Sequence, residues 1–517
     1  MNRIRRIGIG GANALYLFVL VSLAGCEGPS SESLATGAAA TRPPAANGPY
    51  QATGIKIGEV TDTRAIIWTR LTREPERIGS EAPIPEFRYR APASDELREA
   101  PPGRFHPHDW TPVVIYSEGS SLDTIEGAVR GAPGETRVLY RPAGGVDWRS
   151  TAWTAVDPER DFTRQFTLAG LAPATEYTVR IEARSPASET VGSLFDGRFR
   201  TAPLPDEPAR VVFAVTTGQD YEDQDAPGGG FRMYPAIMDL EPSFFVHTGD
   251  IVYYDAWAKN IDLARWGWAR MYSLPTNVEF QRQVPSYFMK DDHDTWQDDT
   301  WPTQQSTYMG DFTFQQGVDV FTEQVPMAGL TYRTFSWGQD VQIWLVEGRD
   351  YRSANPDPDG PDKTIWGTEQ KAWFKETVEA SDATFRILIS PTPFVGPDIE
   401  GKSDSHANDA FGTEGRDLRE FMTRQENMIV ICGDRHWQYV SVHDATGLRE
   451  YATGAASDAH AGGWLSNDDI RPEHRYLNII GGFLSVTAER RDGTPTLTLR
   501  HHGVDGEILN EDILVAE

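Results

Sequence analysis

The sequence predicts an N-terminal all-β sandwich followed by a C-terminal α/β domain in which two sheets are flanked by helices. Residues 49–201 contain short alternating strands separated by turns, which is typical of a sandwich. Residues 209–517 contain longer apolar strands and a helical segment, which is typical of layered α/β domains. Three of these apolar strands are followed directly by loops rich in Asp, His and Tyr. We therefore expect two domains, with the chemistry in the second.

The chain begins with a segment that resembles a bacterial lipoprotein signal, residues 1–25. Arg3, Arg5 and Arg6 form a basic start, a largely apolar stretch follows, and the segment ends in Leu-Ala-Gly before Cys26. The apolar stretch is too short for a transmembrane helix, which needs about 20 apolar residues. The pattern predicts cleavage before Cys26 and lipid attachment at that residue. We therefore expect an exported, membrane-anchored lipoprotein, periplasmic or at the cell surface; an ordinary secretory peptide is the alternative.

The composition argues against a nucleic-acid partner. The formal net charge is −28, and loss of residues 1–25 would remove three arginines and no acid, so the mature chain would carry −31. Such a chain is repelled by polyanions. The only cysteines are Cys26 and Cys432, so a lipid-modified Cys26 would leave no disulfide and the fold would depend on its core. We expect Cys432, which ends an apolar run, to be a buried strand residue.

The sandwich is preceded by a predicted linker. Residues 26–48 are rich in Ser, Ala, Gly, Pro and Thr, which indicates a flexible tether from the membrane. Within residues 49–201, the runs 65–68 and 177–181 are strand-like. The segment 168–177 resembles the strand-turn-strand corner of a fibronectin type III-like sandwich. This first domain shows no catalytic constellation in its sequence.

The C-terminal domain is predicted from its strand-like runs. These apolar runs are residues 211–215, 243–246, 284–289, 341–346, 385–389 and 428–432. Between the fourth and fifth runs, residues 368–380 place Trp373, Phe374 and Val378 on one helical face. We expect these three side chains to pack in the core. Two sheets with helices outside them fit this order.

Three polar clusters follow three of these strands. They are residues 247–255 (HTGDIVYYD), 291–294 (DDHD) and 433–436 (GDRH). Ligands of α/β sheets gather at the strand ends from which such loops emerge. Carboxylate oxygens, phenol oxygens and imidazole nitrogens suit hard cations and iron. The sequence therefore predicts one shared metal site.

The three clusters resemble motifs of the PhoD-like branch of the calcineurin-type metallophosphoesterases. Gly-Asp-x-x-Tyr appears at residues 249–253, Asp-Asp-His-acid at residues 291–294, and Gly-Asp-x-His at residues 433–436. The N-terminal sandwich also resembles the domain that precedes many of these enzymes. The resemblance covers nearly the whole mature chain. It implies an alkaline phosphatase D-like phosphoesterase with two or more metal ions, calcium and/or iron.

The resemblance implies roles for the metal ligands. Asp250 would be the carboxylate that bridges two ions. Asp292 takes the place of the Asn used elsewhere in the superfamily and would bind the second ion. Tyr253 could bind as a phenolate if the metal is ferric. Asp434 and His436 alternate on an extended segment, so their side chains would leave on the same face.

Two further residues resemble catalytic groups. His293 is similar to the histidine that protonates the leaving oxygen or orients phosphate. Arg435 is a candidate phosphate clamp. Two metal ions about 3.5–4 Å apart can hold hydroxide between them and bind phosphate oxygens, which would complete the hydrolytic machinery.

The chain departs from the family pattern at the first strand. That strand usually ends in Gly-Ser-Cys-Gln, whose Cys binds iron, but here Gly218 stands at the Cys position. Asp220 could substitute from two residues on, and a site of oxygen and imidazole donors leans away from thiolate-held iron. His406 could be the histidine ligand that the superfamily places between the second and last motifs, although a polar surface loop is an equal alternative. His460 is a weaker candidate of the same kind.

These observations predict an exported, metal-dependent phosphoric ester hydrolase that acts by metal-bound hydroxide attack. The substrate would be a small-molecule or polymeric phosphate ester, and the sequence does not separate monoesters from diesters. The alternative is a surface binding lipoprotein with an inactive phosphoesterase-like domain, which the missing thiolate favours. The intact Asp250, Asp292, His293 and His436 argue against that alternative.

Overall fold

The computed structural model describes residues 48–100, 107–186 and 188–516. The predicted signal segment lies outside the described residues, as does nearly all of the predicted linker. All described residues belong to one compact unit, residues 44–517. Within this part of the chain, no helix has the length and apolar character needed to cross a membrane.

The described residues form 24 strands and seven α-helices. The first eleven strands are β1 (Ile55–Gly58), β2 (Arg64–Arg70), β3 (Glu86–Arg90), β4 (Leu97–Arg98), β5 (Thr111–Ile115), β6 (Glu135–Pro142), β7 (Arg149–Ser150), β8 (Thr154–Ala155), β9 (Thr163–Ala169), β10 (Glu176–Arg184) and β11 (Ser193–Arg200). The others are β12 (Val211–Thr216), β13 (Phe244–His247), β14 (Ser286–Phe288), β15 (Arg333–Trp337), β16 (Val341–Leu345), β17 (Phe385–Ser390), β18 (Met428–Cys432), β19 (Gln438–Val442), β20 (Arg449–Thr453), β21 (His474–Asn478), β22 (Phe483–Arg491), β23 (Thr494–His502) and β24 (Ile508–Val515). The helices are α1 (Met233–Met238), α2 (Tyr254–Trp257), α3 (Ile261–Tyr272), α4 (Pro275–Gln281), α5 (Phe314–Gln324), α6 (Gly367–Glu379) and α7 (Gly412–Thr423).

The N-terminal region is the predicted all-β sandwich. Strands β1, β2 and β9 form one antiparallel layer, and β11, β10, β6 and β7 form the other. Alternate residues of β10 are buried, and Val179 and Ile181 pack in one core with Ile57 and Ile67 of the opposite layer. The Tyr177 hydroxyl accepts a hydrogen bond of 2.8 Å from the N–H of Ala172. This is the tyrosine corner of fibronectin-like and immunoglobulin-like sandwiches, at the predicted position.

The C-terminal region contains two large sheets. In the first, β12, β13 and β14 are parallel, and β22, β23 and β24 extend it in antiparallel fashion. Its other edge continues into the sandwich, because β14 pairs in parallel with β1 at Ser286 and Gly58. The second sheet has the order β15-β16-β17-β18-β20-β19-β21, with β16, β17, β18 and β20 parallel. Strands β3, β4 and β5 form a separate small sheet.

The core lies between the two large sheets. Val215 and Val246 of the first sheet share one buried cluster with Ile343, Ile387 and Ile431 of the second. Each fully buried side chain of this kind contributes about 1.5–3 kcal/mol. The alternating positions on the outer faces of these strands pack against the helices. Two sheets flanked by helices are therefore confirmed.

Helix α6 illustrates how well a local pattern can be interpreted. It spans Gly367–Glu379, close to the predicted 368–380. Phe374 and Val378 are buried in the outer core of the second sheet, whereas Trp373 is only partly buried.

Cys432 is fully buried at the end of β18, as predicted, and its Sγ lies 3.4 Å from the Tyr439 hydroxyl. The loops that leave the carboxyl ends of β12, β13, β14, β18 and β20 converge at one place.

Candidate metal centre

The loops after β13 and β14 are fastened to each other. Gly249 has a φ of +120°, and a Cβ on it would lie 2.5 Å from the backbone nitrogen of Asp291, so only glycine permits this approach. The two carboxylate oxygens of Asp294 accept hydrogen bonds from the N–H of Ile251 at 3.0 Å and from the N–H of Asp291 at 2.5 Å. Asp294 therefore holds the two loops together rather than facing the centre.

Asp250 is the residue that the predicted ligands share. It is 1% exposed and has a φ of +56°, an uncommon conformation that tends to occur at functional sites. Its carboxylate lies within 4.8 Å of ligand atoms of Asp292 and His293 on one side. It lies within the same distance of Asp291 and Asp434 on another. The three motif loops therefore meet at Asp250, as the bridging role would require.

Each of three neighbouring carboxylates has one oxygen held by the protein and one that is not. Asp291 Oδ1 accepts from Arg349 Nε at 2.6 Å, and Asp292 Oδ2 accepts from the N–H of Asp299 at 2.6 Å. Asp250 Oδ2 lies 3.4 Å from His436 Nε2. The second oxygens of these three aspartates are buried and have no hydrogen-bond partner among the described residues. Buried polar atoms without partners are rare and call for an explanation such as a bound ion.

The electrostatics of the cluster point to the same explanation. Burial and the charge of Asp292 raise the pKa of Asp250 well above its ordinary value. Burial likewise raises the pKa of Asp434. At Asp292, burial opposes ionisation, but the charges of Arg349 and His293 outweigh it and lower the pKa. Several carboxylates held this close repel one another, and cations would relieve that repulsion. The donor set therefore fits the metal ions that the motifs imply.

A nitrogen-rich side of the centre lies next to Asp250. His436 Nε2 is 3.4 Å from the Tyr253 hydroxyl, which in turn is 2.5 Å from His460 Nε2. His460 Nδ1 is 2.9 Å from an oxygen of Asp223. Asp220, a predicted ligand, belongs to this side, because its carboxylate lies within 4.8 Å of ligand atoms of Asp223 and His460. The structure thus brings Asp220, Tyr253 and His436 together with two residues that the motifs do not include.

His293 is oriented for proton chemistry. Its Nδ1 lies 2.9 Å from Asp255 Oδ2, and its Nε2 lies 3.8 Å from Asp298 Oδ1. Burial alone would lower the pKa of His293, but the charges of Asp255 and Asp292 outweigh it and raise the pKa well above its ordinary value. These two carboxylates therefore favour the protonated imidazole, whose ring packs 4.4 Å from that of Tyr253. A protonated, oriented imidazole beside a metal centre can act as a general acid.

Two predicted site residues have other surroundings. His406 is fully buried, its Nε2 lies 3.3 Å from Glu414, and its ring stacks on Phe394 at 4.2 Å. His406 is therefore neither in an exposed polar loop nor in a ligand position. The apolar core encloses its ring, and among the described residues it belongs to none of the possible metal groups. We therefore omit His406 from the proposed centre.

Arg435, predicted as a phosphate clamp, forms ion pairs with carboxylates of the protein itself. Its guanidinium lies 2.6 Å from Asp398 and 3.4 Å from Asp404, and it pairs with Asp434. The side chain is only 2% exposed. Burial opposes this charge, but Asp398 and Asp434 outweigh it and raise the pKa of Arg435. A guanidinium enclosed by three carboxylates orients Asp434 and has little freedom to bind phosphate.

Sequence reasoning missed three residues of the site. Asp255 stands inside the first motif cluster, but its link to His293 spans 38 residues, which no spacing rule suggests. The sequence analysis gives no role to Asp223 or Asp291, although Asp291 opens the second motif. Only the position of Asp255 and Asp291 in strand-end clusters could have signalled them in advance.

The comparisons with known proteins agree with this geometry. Residues 213–475, just over half of the chain, match the family model described as PhoD-like phosphatase. The chain belongs to the PhoD-like phosphatase family. This membership, together with the carboxylate and histidine clusters, supports a metal-dependent phosphoesterase that acts on phosphate esters. No curated protein sequence matches the chain in a sequence search.

Two solved structures share the fold over most of this PhoD-like chain. The structure of PhoD matches with a TM-score of 0.66 and 16% identity, covering 92% of this chain and 90% of that one. A purple acid phosphatase, PPD1 from yellow lupin (Lupinus luteus) seeds, matches with a TM-score of 0.59 and 14% identity, covering 91% of this chain and 75% of that one. At these identities the likeness shows a common fold, which includes the N-terminal sandwich.

Proposed function

We propose that this protein is an exported phosphoesterase that hydrolyses phosphate monoesters or diesters at the Asp250 centre. The observation that carries the proposal is the position of Asp250, a buried carboxylate that lies within 4.8 Å of ligand atoms of Asp291, Asp292 and Asp434 and 3.4 Å from His436 Nε2. One of its oxygens has no hydrogen-bond partner among the described residues. A carboxylate so placed is suited to bind two ions at once, which is the arrangement that phosphoester hydrolysis uses.

We propose a separate role for each group of residues at this centre. Asp250, Asp291, Asp292 and Asp434 would hold cations, which when bound supply charge to phosphate oxygens and activate water. His293 would keep a proton on the nitrogen that Asp255 does not engage and deliver it to the leaving oxygen. Asp255 would fix the ring, much as a carboxylate does in other catalytic dyads.

The donor types suggest which cations fit. The carboxylate side, with Asp291, Asp292 and Asp434, offers oxygen atoms alone, which suits a hard ion such as calcium. The side with His436 and Tyr253 offers nitrogen and phenol oxygen, which suits a transition metal such as iron. Calcium and/or iron are also what the resemblance to the family implies. We propose two or more ions of these kinds.

Export and membrane attachment form part of the proposal. The basic, apolar and small-residue pattern of residues 1–25 and the following Cys26 support a lipoprotein signal. A lipid on Cys26 would keep the enzyme at a membrane surface, facing extracellular or periplasmic phosphate esters. A single acyl modification gives weak binding, so stable attachment would need more than one chain on that residue.

Hydrolysis by purified protein tests the proposed function. The chain without residues 1–25 should cleave 4-nitrophenyl phosphate or bis(4-nitrophenyl) phosphate, lose this activity on chelation, and regain it with metal. Asp250→Asn keeps the size of the side chain but removes its charge, and it should lose bound metal and activity together. His443→Ala is the matched control, because His443 lies in the turn after β19 and bonds only to Thr446 among the described side chains. An inactive wild type that still binds phosphate esters would instead indicate the binding lipoprotein.

A further inference from the structure

We infer that His460 is a metal ligand of this centre and that Gly218 makes its position possible, an inference that rests on the proposed function. His460 lies outside the three motifs, in the loop after β20. None of the motif positions corresponds to it. Its place is determined by contacts with the loop after β12, which contains Gly218.

The loop that carries His460 is attached to the loop after β12 by backbone pairing. Thr217 forms a parallel bridge with Ala455, and the N–H of Ala456 donates to the Gly218 carbonyl at 2.9 Å. Further along, the N–H of Gly462 donates to the His436 carbonyl at 3.0 Å. Residues 455–462 are therefore held at both ends against the candidate metal centre. The backbone, rather than the side chain alone, fixes where His460 lies.

The two nitrogens of His460 have different partners. Nδ1 is 2.9 Å from Asp223, while Nε2 faces the centre at 2.5 Å from the Tyr253 hydroxyl. The ring centroid lies 4.3 Å from that of His436. Histidine ligands almost always engage a carboxylate, carbonyl or water through the nitrogen that does not bind metal. His460 has that arrangement, with Asp223 as the orienting carboxylate.

Gly218 leaves the space that the two imidazoles use. A Cβ at Gly218 would lie 2.8 Å from His436 Nε2 and 3.3 Å from His460 Cδ2. The residue also has a φ of +50°, which is unfavourable for any side chain. A cysteine at this position could not coexist with both rings where they stand. The donors on this side are therefore His436, His460 and Tyr253 with nearby carboxylates, a set of nitrogen and oxygen atoms.

This donor set has consequences for the metal. Thiolate ligands favour soft or thiophilic ions, whereas imidazole with carboxylate and phenol oxygen suits divalent zinc, manganese, cobalt or iron. His460 thus replaces a sulfur donor by a nitrogen donor at one ion of the centre. The competing explanation is that His460 Nε2 only accepts a hydrogen bond from the Tyr253 hydroxyl and positions that phenol.

Metal binding by the full mature chain distinguishes the two explanations. Purified protein should be depleted of metal, titrated with Co²⁺ alone, and followed by visible absorption and by metal content after dialysis. His460→Ala should lose about one equivalent of Co²⁺ per chain, or bind it at least tenfold more weakly, with a changed visible spectrum. Asp223→Asn retains His460 and should weaken Co²⁺ binding by about 10–100-fold. His443→Ala, an imidazole removed elsewhere, should match the wild type.

The outcomes separate this inference from the proposed function. If wild-type protein binds metal and hydrolyses phosphate esters while His460→Ala keeps its stoichiometry, affinity and Co²⁺ spectrum, His460 is not a ligand and only the inference fails. If wild-type protein binds no metal, both fail. Should His460→Ala not fold, as judged by circular dichroism, Asp223→Asn decides: unchanged Co²⁺ affinity in that variant overturns the inference.

Discussion

Gly218→Ala should disable one ion of the centre while the fold survives. The substitution adds one methyl group at a residue with a φ of +50°, next to His436 and His460. Two effects are expected and can be separated. One is backbone strain, which any L-residue would suffer in this conformation. The other is the contact between the new Cβ and the imidazole of His436, which displaces a metal donor.

The structure gives both magnitudes. Left-handed backbone costs an L-residue roughly 1–2 kcal/mol of stability. The new Cβ would lie 2.8 Å from His436 Nε2, whereas ordinary contacts begin at 3.4 Å, so the ring must move by about 0.6 Å. Metal–ligand distances tolerate only about 0.2 Å. We therefore expect metal affinity to fall more than tenfold, which is at least about 1.4 kcal/mol.

Gly447→Ala is the matched control for Gly218→Ala. Gly447 has a φ of +74°, and a Cβ there would meet nothing within 4 Å. Both variants should unfold at lowered temperatures in a thermal melt of the metal-free protein, because both suffer the backbone strain. Only Gly218→Ala should show weakened metal binding in a calorimetric titration and reduced hydrolysis. Equal metal affinity in the two variants would refute the close approach of His436 to the Gly218 backbone.

Three further predictions concern other parts of the chain. His293→Gln should bind metal normally yet lose about 10²–10⁴-fold in hydrolysis rate, and the loss should be smaller for esters with good leaving groups. A loss in rate that is independent of leaving-group pKa across a substrate series would contradict the acid role. Cys26→Ser should move the protein from the membrane fraction to the soluble fraction, and continued membrane binding on fractionation would oppose the lipoprotein signal. Burial lowers the pKa of His501 to about 4 from 6.5. The unfolded state therefore binds more protons than the folded state between these two pH values. The free energy of unfolding should fall by about 3 kcal/mol in all as the pH drops through that window. Thermal melts from pH 7 to pH 4 should show a shallower decline for His501→Gln, and identical slopes would show that His501 does not contribute.

The elements that could be predicted from sequence are those set by local patterns. Apolar runs predict β13, β14 and β18 to within a few residues, because parallel strands buried on both faces are rich in apolar side chains. The polar residues that follow them are predicted to lie at one site, because parallel strands have their carboxyl ends at the same edge of the sheet. Asp250 and Asp292 were found in this way, and the structure brings them within ligand distance of each other.

The features that could not be predicted depend on distant partners. No local signal indicates that β1 of the sandwich pairs with β14, more than 220 residues later, and so joins the sandwich to the first large sheet. Arg435 has the composition of a phosphate clamp, but Asp398 and Asp404 arrive from another loop and surround it. His406 lies among polar residues in sequence, yet the fold buries it beside Phe394. In each case tertiary contacts decide what a side chain is available to do.

The positions of bound metal ions decide whether Asp250 joins the two halves of the centre. Crystals of the mature chain grown with Mn²⁺ or iron should give anomalous difference peaks on both sides of the Asp250 carboxylate. One peak should lie between Asp250 and the group His436, Tyr253 and His460, and the other between Asp250 and Asp292. Peaks elsewhere, or a metal-loaded and active protein in which Asp250 contacts no ion, would contradict the bridging role of this buried carboxylate.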